Sequence, residues 1–360
     1  MVRLCDVCTK EASNIAQKDL TTHSGEYPIY GAAGFIKNVD FYHQDKPYIA
    51  IVKDGAGVGR VMKLPANSSV IGTMQYIIPN EGVNVSYLAY ALEHMNLAKY
   101  YLGAAIPHIY FKDYCNEELP AHTAEEQNNI ALSLDKVAEL IALRKEQLAK
   151  LDQLVKSRFI ELFGDSTHSR NKVLLEDISV FVTVGIANSA THAYADNGIV
   201  MLRNQNIKEN YLDEKDLIYI TPDFAEKYGS KQLSENDILV IRTGYPGVAC
   251  LVPKKYEGCQ TFTTLIVRLK NSTSAHANYV CHYINSSFGK DYVEQSKVGV
   301  AQQNFGAKAL AKMPIVVPPI ELQEEFAAFV EKTDKSKIAI QQSLDKLELL
   351  KKSLMQEYFG

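Results

Sequence analysis

The stretch LAKLDQLVKSRFIELFG (Leu148–Gly164) returns as LDKLELLKKSLMQEYFG (Leu344–Gly360), ungapped and at a constant offset of 196 residues, with about half of the positions identical. The same offset aligns Gly103 with Gly299, Lys112 with Lys308, Gln127 with Gln323 and Ala131 with Ala327, so the duplication reaches well upstream of its best-matching piece. A weaker echo pairs VRLCDVC at Val2 with VLLEDIS at Val173, and YIAIVKDGAGVG (Tyr48–Gly59) with DILVIRTGYPGVA (Asp237–Ala249). A period this long makes the chain two copies of one unit. Each copy is a mostly non-helical domain followed by one long helix.

In the first helix Ile130, Leu134, Val137, Ile141, Leu148, Leu151, Val155 and Leu162 fall on alternating steps of four and three, with Arg144 and Arg158 at the remaining seam positions. That is the 3.5-residue period of a coiled coil. Pro120 breaks the preceding extended run, Thr123 and Glu126 fit a capping box, and Gly164 is placed to end the helix. The second helix follows Pro318-Pro319 and carries Phe326, Val330, Ile340, Leu344, Leu347 and Leu354 on equivalent positions, interrupted by Thr333, Lys337 and Lys351. About 38 helical residues at ~1.5 Å each carry the chain roughly 55 Å, and the linker Asp165–Lys172 turns it. An apolar stripe must be buried, and the second helix on its way back offers the matching stripe. The expected fold is therefore α+β: two similar domains separated by a long antiparallel two-helix coiled coil, related by a pseudo-two-fold axis. The expected boundaries are residues 1–118 for the first domain, 119–164 for the central helix, 165–312 for the second domain and 313–360 for the C-terminal helix.

Within the domains, short β-branched and aromatic runs bounded by turn residues predict strands at Tyr48–Val52, Ser69–Gly72, Tyr76–Ile78, Ile199–Leu202, Leu217–Ile220, Ile238–Ile241 and Thr264–Leu269. Helical pieces are expected at Val85–Tyr101 and Ala277–Tyr292. With 46% hydrophobic residues over 360 positions, the chain can bury real cores. Its 38 Lys and Arg against 42 Asp and Glu give a net charge of −4. Segment by segment the balance is −2, −1, +1 and −2, so neither domain binds a polyanion by charge alone. Six scattered cysteines, a polar start and no apolar run near the ~20 residues of a membrane span predict a reduced, cytoplasmic protein.

The glycine run Asp54-Gly-Ala-Gly-Val-Gly-Arg60 lacks the register of a dinucleotide loop and runs into a basic, non-helical segment, so it predicts a tight turn between strands. There is no P-loop, Val317-Pro-Pro-Ile320 lacks the Asn or Asp an amino-methyltransferase needs, and Cys5-x-x-Cys8 has no second ligand pair. Among nine histidines, including His23, His108, His192 and His282, none is grouped as H-E-x-x-H. No catalytic residue and no metal site is expected, and function falls to recognition.

Taken in order, EYPIYGAAGFIKNVDFY (Glu26–Tyr42), PYIAIVKDGAGVGRV (Pro47–Val61), the P-x-x-x-x-x-E-Q helix entry at Pro120–Gln127, KLDQLVKSRFIELFGD (Lys150–Asp165), MLRNQNI (Met201–Ile207), DILVIRTG (Asp237–Gly244) and VPPIELQEEFAAFV (Val317–Val330) resemble the specificity subunits of type I restriction-modification systems. The resemblance covers essentially the whole chain. The second helix entry departs from the first, with Leu322-Gln323 in place of Glu126-Gln127. The resemblance implies a non-catalytic subunit that binds double-stranded DNA, each domain reading one half of a split target while the helices set the spacing. It implies two methyltransferase subunits as partners and, when bound, restriction subunits. No cofactor is implied on this chain: S-adenosylmethionine belongs to the methyltransferase, ATP and Mg to the restriction subunit. A coiled-coil protein-interaction scaffold is the alternative from another class.

Side-chain chemistry selects the candidate contacts, because Arg and Lys suit guanine, Asn and Gln suit adenine, and all can grip phosphate. In the first domain these are Lys53 and Arg60 flanking the glycine turn, then His108, Tyr110 and Lys112, with Gln75 a further choice. In the second they are Arg203, Asn204, Gln205 and Asn206, then Arg242 and Tyr245 at the matching turn, and Gln302, Gln303, Asn304 and Lys308. Offset 196 places His108 on Asn304 and Lys112 on Lys308, so the loop is expected to be shared.

Overall fold

Tyr48–Val52 is a strand whose five residues are all buried. Alternate side chains leave opposite faces of a sheet, and both faces here are covered. Ile49 and Ile51 pack with Ile77 and with Tyr87 and Leu88 of the helix Val85–His94. Tyr48, Ala50 and Val52 pack on the other side with Leu64, Val70, Met74 and Tyr76. Burial on both faces is the physical reason for the unbroken apolar run.

The computed structural model describes residues 1–101, 103, 107–164, 172–187, 190–271, 275–297 and 304–360. They form two compact units, Met1–Gln147 with Ala339–Gly360, and Leu148–Ile338. In the first unit an antiparallel sheet runs in the order Cys8–Ala12, Met74–Pro79, Tyr48–Val52, Val61–Leu64. Beside it Gly34–Val39, Tyr27–Gly31 and Ser69–Val70 form a smaller sheet whose last pair is parallel. The second unit repeats both. Its larger sheet runs Ser179–Val184, Leu265–Leu269, Ile238–Val240, Ala249–Leu251, again antiparallel throughout. Its smaller sheet contains the parallel pair Ile199–Leu202 and Gln260–Thr261. Each globular part also begins and ends on one antiparallel ladder, Val2–Arg3 with Glu118–Leu119 in the first and Lys172–Leu174 with Pro314–Val316 in the second. The sequence repeat is a repeat of topology.

Two 40-residue helices, Ala124–Phe163 and Ile320–Phe359, dominate the rest. The capping box forms as expected: the Glu126 carboxylate accepts from the Thr123 N–H at 2.7 Å, and Thr123 Oγ1 accepts from the Glu126 N–H at 3.3 Å. Gly164, at φ 63°, follows the last helical turn. Every expected seam position of the first helix is buried or half-buried, and so is every seam position of the second. The polar intruders are satisfied locally. Thr333 donates to the Phe329 carbonyl at 2.9 Å, Lys337 pairs with Asp152 at 2.8 Å, and in the first unit Lys351 pairs with Glu93 at 2.9 Å. Each unit uses part of both helices: Lys145 meets Glu348 at 2.9 Å in the first, and Arg158 pairs with Glu325 in the second.

One side chain fastens each domain to its helix entry. Gln127 accepts from the Asn84 N–H at 3.0 Å and donates to the His122 carbonyl at 2.9 Å. Its repeat, Gln323, accepts from the His276 N–H at 2.8 Å and donates to the Pro318 carbonyl at 2.7 Å. The Glu that precedes Gln127 serves the cap, whereas the Gln serves the domain, which is why Leu322 can replace Glu in the second copy. Gln323 is fully buried and Gln127 only partly. Leaving buried partners unpaired costs about 1–3 kcal/mol. Gln323→Ala is expected to lower unfolding free energy by about that amount, and Gln127→Ala by less, as measured by urea denaturation of the full chain.

In the second unit His282 lies among rings, its centroid 4.9 Å from that of Phe326 and 6.5 Å from that of Phe159. Burial there pushes its imidazole down to about 4, against an ordinary value near 6.5. The folded state thus favours the neutral ring, so the contribution is complete above about pH 6.5 and is lost as pH falls through about 4. The shift corresponds to about 3 kcal/mol. Urea midpoints taken from pH 7.5 to pH 4.5 are expected to fall less steeply in His282→Gln than in the parent. Equal slopes would assign the acid lability to other groups.

Candidate nucleic-acid interface

Two segments distant in the chain meet in each unit. In the first, the turn after Tyr48–Val52 lies against the segment that begins at Pro107. The Gly55 N–H donates to the Pro107 carbonyl at 2.9 Å and the Ile109 N–H to the Lys53 carbonyl at 3.0 Å, with Asp54 and His108 paired in a β-bridge. In the second, Thr243 bridges Asn304, and the Phe305 N–H donates to the Arg242 carbonyl at 2.9 Å. His108 and Asn304 are the pair that offset 196 aligns.

The glycines make the turn possible. It links the antiparallel strands Tyr48–Val52 and Val61–Leu64, as expected of a turn and not of a phosphate loop. Gly59 has φ 84°, and a Cβ there would lie 2.5 Å from the Ala98 nitrogen. Gly247, φ 95°, repeats the close approach: its Cβ would lie 2.8 Å from the Val293 side chain. Each turn is pinned at its base while its tip stays open.

Around the first turn the structure gathers Lys53, His108, Tyr110 and Lys112. Lys53 donates to one Asp54 oxygen at 2.6 Å, and His108 Nδ1 meets the other. The His108 and Tyr110 rings lie 4.1 Å apart, and Lys112 sits 5.3 Å over the Tyr110 ring. Burial works to raise the Asp54 pKa, but the hydrogen bonds from Lys53 and His108 together outweigh it and hold the carboxyl below its ordinary value. Arg60, at the far end of the turn, donates to the Ala32 carbonyl at 2.8 Å, which ties the turn to the hairpin Tyr27–Val39.

Around the second turn stand Arg242, Asn204, Asn304 and Tyr245. Arg242 Nε donates to Asn304 Oδ1 at 3.1 Å, and Asn204 donates to the Thr243 carbonyl at 3.3 Å. Tyr245 is 84% exposed at the tip, against 48% for Tyr110. One open ring in the loop of the first unit and one at the turn tip of the second offer stacking surface for bases. Gln205 and Lys308 are exposed as well, and Lys308 sits in the short helix Ala307–Ala311 as Lys112 does in Phe111–Tyr114.

Two expected contacts are corrected. Gln75 is buried and donates to the Tyr114 hydroxyl, because its position in Met74–Pro79 faces the helical layer. Asn206 is fully buried and donates to the Asp213 and Lys215 carbonyls at 3.0 and 2.9 Å, shaping the loop from inside. Arg203 is half-buried, with its guanidinium on the Asp216 carbonyl. Gln302 and Gln303 lie outside the described residues. Asp54 lies outside the expected set of cationic, imidazole, amide and tyrosine side chains, because a carboxylate repels phosphate. Its contact with His108, 54 positions away, has no local signal, although the repeat marks both the turn and the loop. Among the described residues no group of three or more His, Cys, Asp or Glu side chains could hold a metal ion, and no helix is long and apolar enough to cross a membrane.

Comparison with known proteins gives a consistent result. The family described as type I restriction modification DNA specificity domain matches residues 1–153 and 172–351. The specificity subunit of the Escherichia coli type I restriction enzyme EcoEI is 31% identical over 105 residues, which span 28% of this chain and 18% of that relative. The S subunit of a type I restriction-modification system from M. genitalium superposes with a TM-score of 0.63 at 14% identity, covering 100% of this chain and 95% of that one. A chain from a structure describing complex assembly and conformational transition of the type I R-M system gives 0.55 at 14% identity, over 99% and 96%.

Proposed function

Since the chain belongs to the type I restriction-modification DNA specificity family, we propose that it is the subunit that reads the target sequence for a methyltransferase and restriction complex. The observation that carries this reading is the turn-and-loop surface built at the same place in both units, with different side chains in each. Lys53, Arg60, His108, Tyr110 and Lys112 would read one half-site, and Asn204, Gln205, Arg242, Tyr245, Asn304 and Lys308 the other. Duplicated modules with unlike residues suit a split and asymmetric target, as paired readers suit paired half-sites. The seam burial of both long helices supports an antiparallel coiled coil of residues 119–164 and 313–360 that separates the domains 1–118 and 165–312 and fixes the distance between half-sites.

The chain supplies recognition and no chemistry. Two methyltransferase subunits would dock on it and bring S-adenosylmethionine, and restriction subunits, when bound, would bring ATP and Mg. A net charge of −4 fits weak binding alone, because phosphate neutralisation dominates nonspecific affinity and the partners would supply much of it. The work would take place in the cytoplasm. Adenine methylation mapped genome-wide, with and without the gene, is expected to lose one split motif. Retention of every split motif would sink the reading, and an assembled complex without DNA preference would favour the protein scaffold.

A further inference from the structure

Asp54 is an acid inside a cluster otherwise suited to a polyanion. It would repel phosphate unless it serves another group, and besides Lys53 the group it touches is the imidazole of His108. A carboxylate only accepts hydrogen bonds. In the neutral ring the proton therefore sits on Nδ1, and Nε2 carries the free lone pair. The homologous position in the second unit is locked with the opposite sense. Arg242 only donates, so the Asn304 amide must turn its Oδ1 to the guanidinium, as it does at 3.1 Å, which leaves its Nδ2 hydrogens with no partner among the described residues.

We infer that Asp54 and Arg242 are positioning residues that set the hydrogen-bond polarity of the reading side chains behind which they stand. His108 presents an acceptor, which matches the exocyclic amino group of adenine or cytosine. Asn304 presents donors, which match the O6 and N7 of guanine or the O4 of thymine. The inference rests on the DNA-reading function and assigns one base polarity to each half-site. The same turn thus holds two unlike readers, each from the residue that immediately precedes or forms the β-bridge.

Asp54→Asn is the informative change. Lys53 donates to the second Asp54 oxygen at 2.6 Å, so the new amide must keep its oxygen on Lys53 and turn its NH₂ to His108 Nδ1. The proton then moves to Nε2 and the reader becomes a donor, as an Asp-to-Asn change behind a serine-protease histidine reverses its tautomer. Two measurements test this. The first is the imidazole ¹⁵N spectrum of the full chain, with His108→Gln to assign the signals: His108 is expected to be protonated on Nδ1 in the parent and on Nε2 in Asp54→Asn. The second is methylation of a randomised target by the assembled complex. One base of a single half-site is expected to change from amino-bearing to carbonyl-bearing, by at least tenfold in preference, while Arg242→Ala relaxes one base of the other half-site.

A parent ring protonated on Nε2 would overturn the inference, and so would an Asp54→Asn complex with unaltered base preferences. Uniform loss across all sequences in Asp54→Asn would also overturn it, since that marks a purely structural role. If instead the parent complex shows no split-site preference, the DNA-reading function itself fails, and the two failures are told apart.

Discussion

Replacing residues 1–118 with the corresponding domain of another specificity subunit should change one half of the methylated motif and leave the other half and the spacing as they were. The chain is built for such an exchange. The segment enters and leaves on one ladder, Val2 opposite Leu119 and Arg3 opposite Glu118, so a replacement must reproduce that pair. It must also keep the face that meets the helix, where the Asp135 carboxylate accepts from Tyr90 at 2.8 Å, Lys63 at 3.0 Å and Ser86 at 3.1 Å. The effect is large because mismatched bases add: two at about 1–3 kcal/mol each amount to about 2–6 kcal/mol, or roughly thirtyfold to more than ten-thousandfold in binding. Sequencing of methylated adenines in cells that carry the exchange reads the outcome. Changes in both halves would mean that the units do not read independently.

The second large effect concerns length. Inserting one heptad after Gln147 and another after Ile338 keeps the seam in register and adds about 10 Å to each helix. At ~3.4 Å per base step that is at most about three base pairs. Three steps also rotate the distal half-site by about 100°, given ~10.5 base pairs per turn, so the best new target is expected one to three base pairs longer, with weaker methylation than the parent on its own target. Methylation at the original spacing should be lost. An unchanged spacer would remove the helices from the ruler role, whatever they do for docking.

What could be known beforehand followed the range of the forces involved. Helix caps, seam and the glycine turn are local, and Thr123, Glu126, Ile130, Leu134 and Gly59 announce them within a few residues. Residue type says nothing of direction: Gln75 turns from its buried strand to Tyr114, 39 positions away, and Asn206 turns inward from a short helical turn to the Asp213 and Lys215 carbonyls. The meeting of Asp54 with His108 joins residues 54 positions apart and has no local signal.

The first unit is discontinuous, for Leu354, Met355, Tyr358 and Phe359 pack with the same core as Leu4, Ile49 and Leu88. The second is continuous from Leu148 to Ile338. On the ribosome, where domains form as their residues emerge, the order of completion is therefore inverted. The later half of the chain can close its core first, while the half made earliest waits with part of its apolar surface uncovered until residues 339–360 have been synthesised. That interval is when the nascent chain is most exposed to chaperones and proteases.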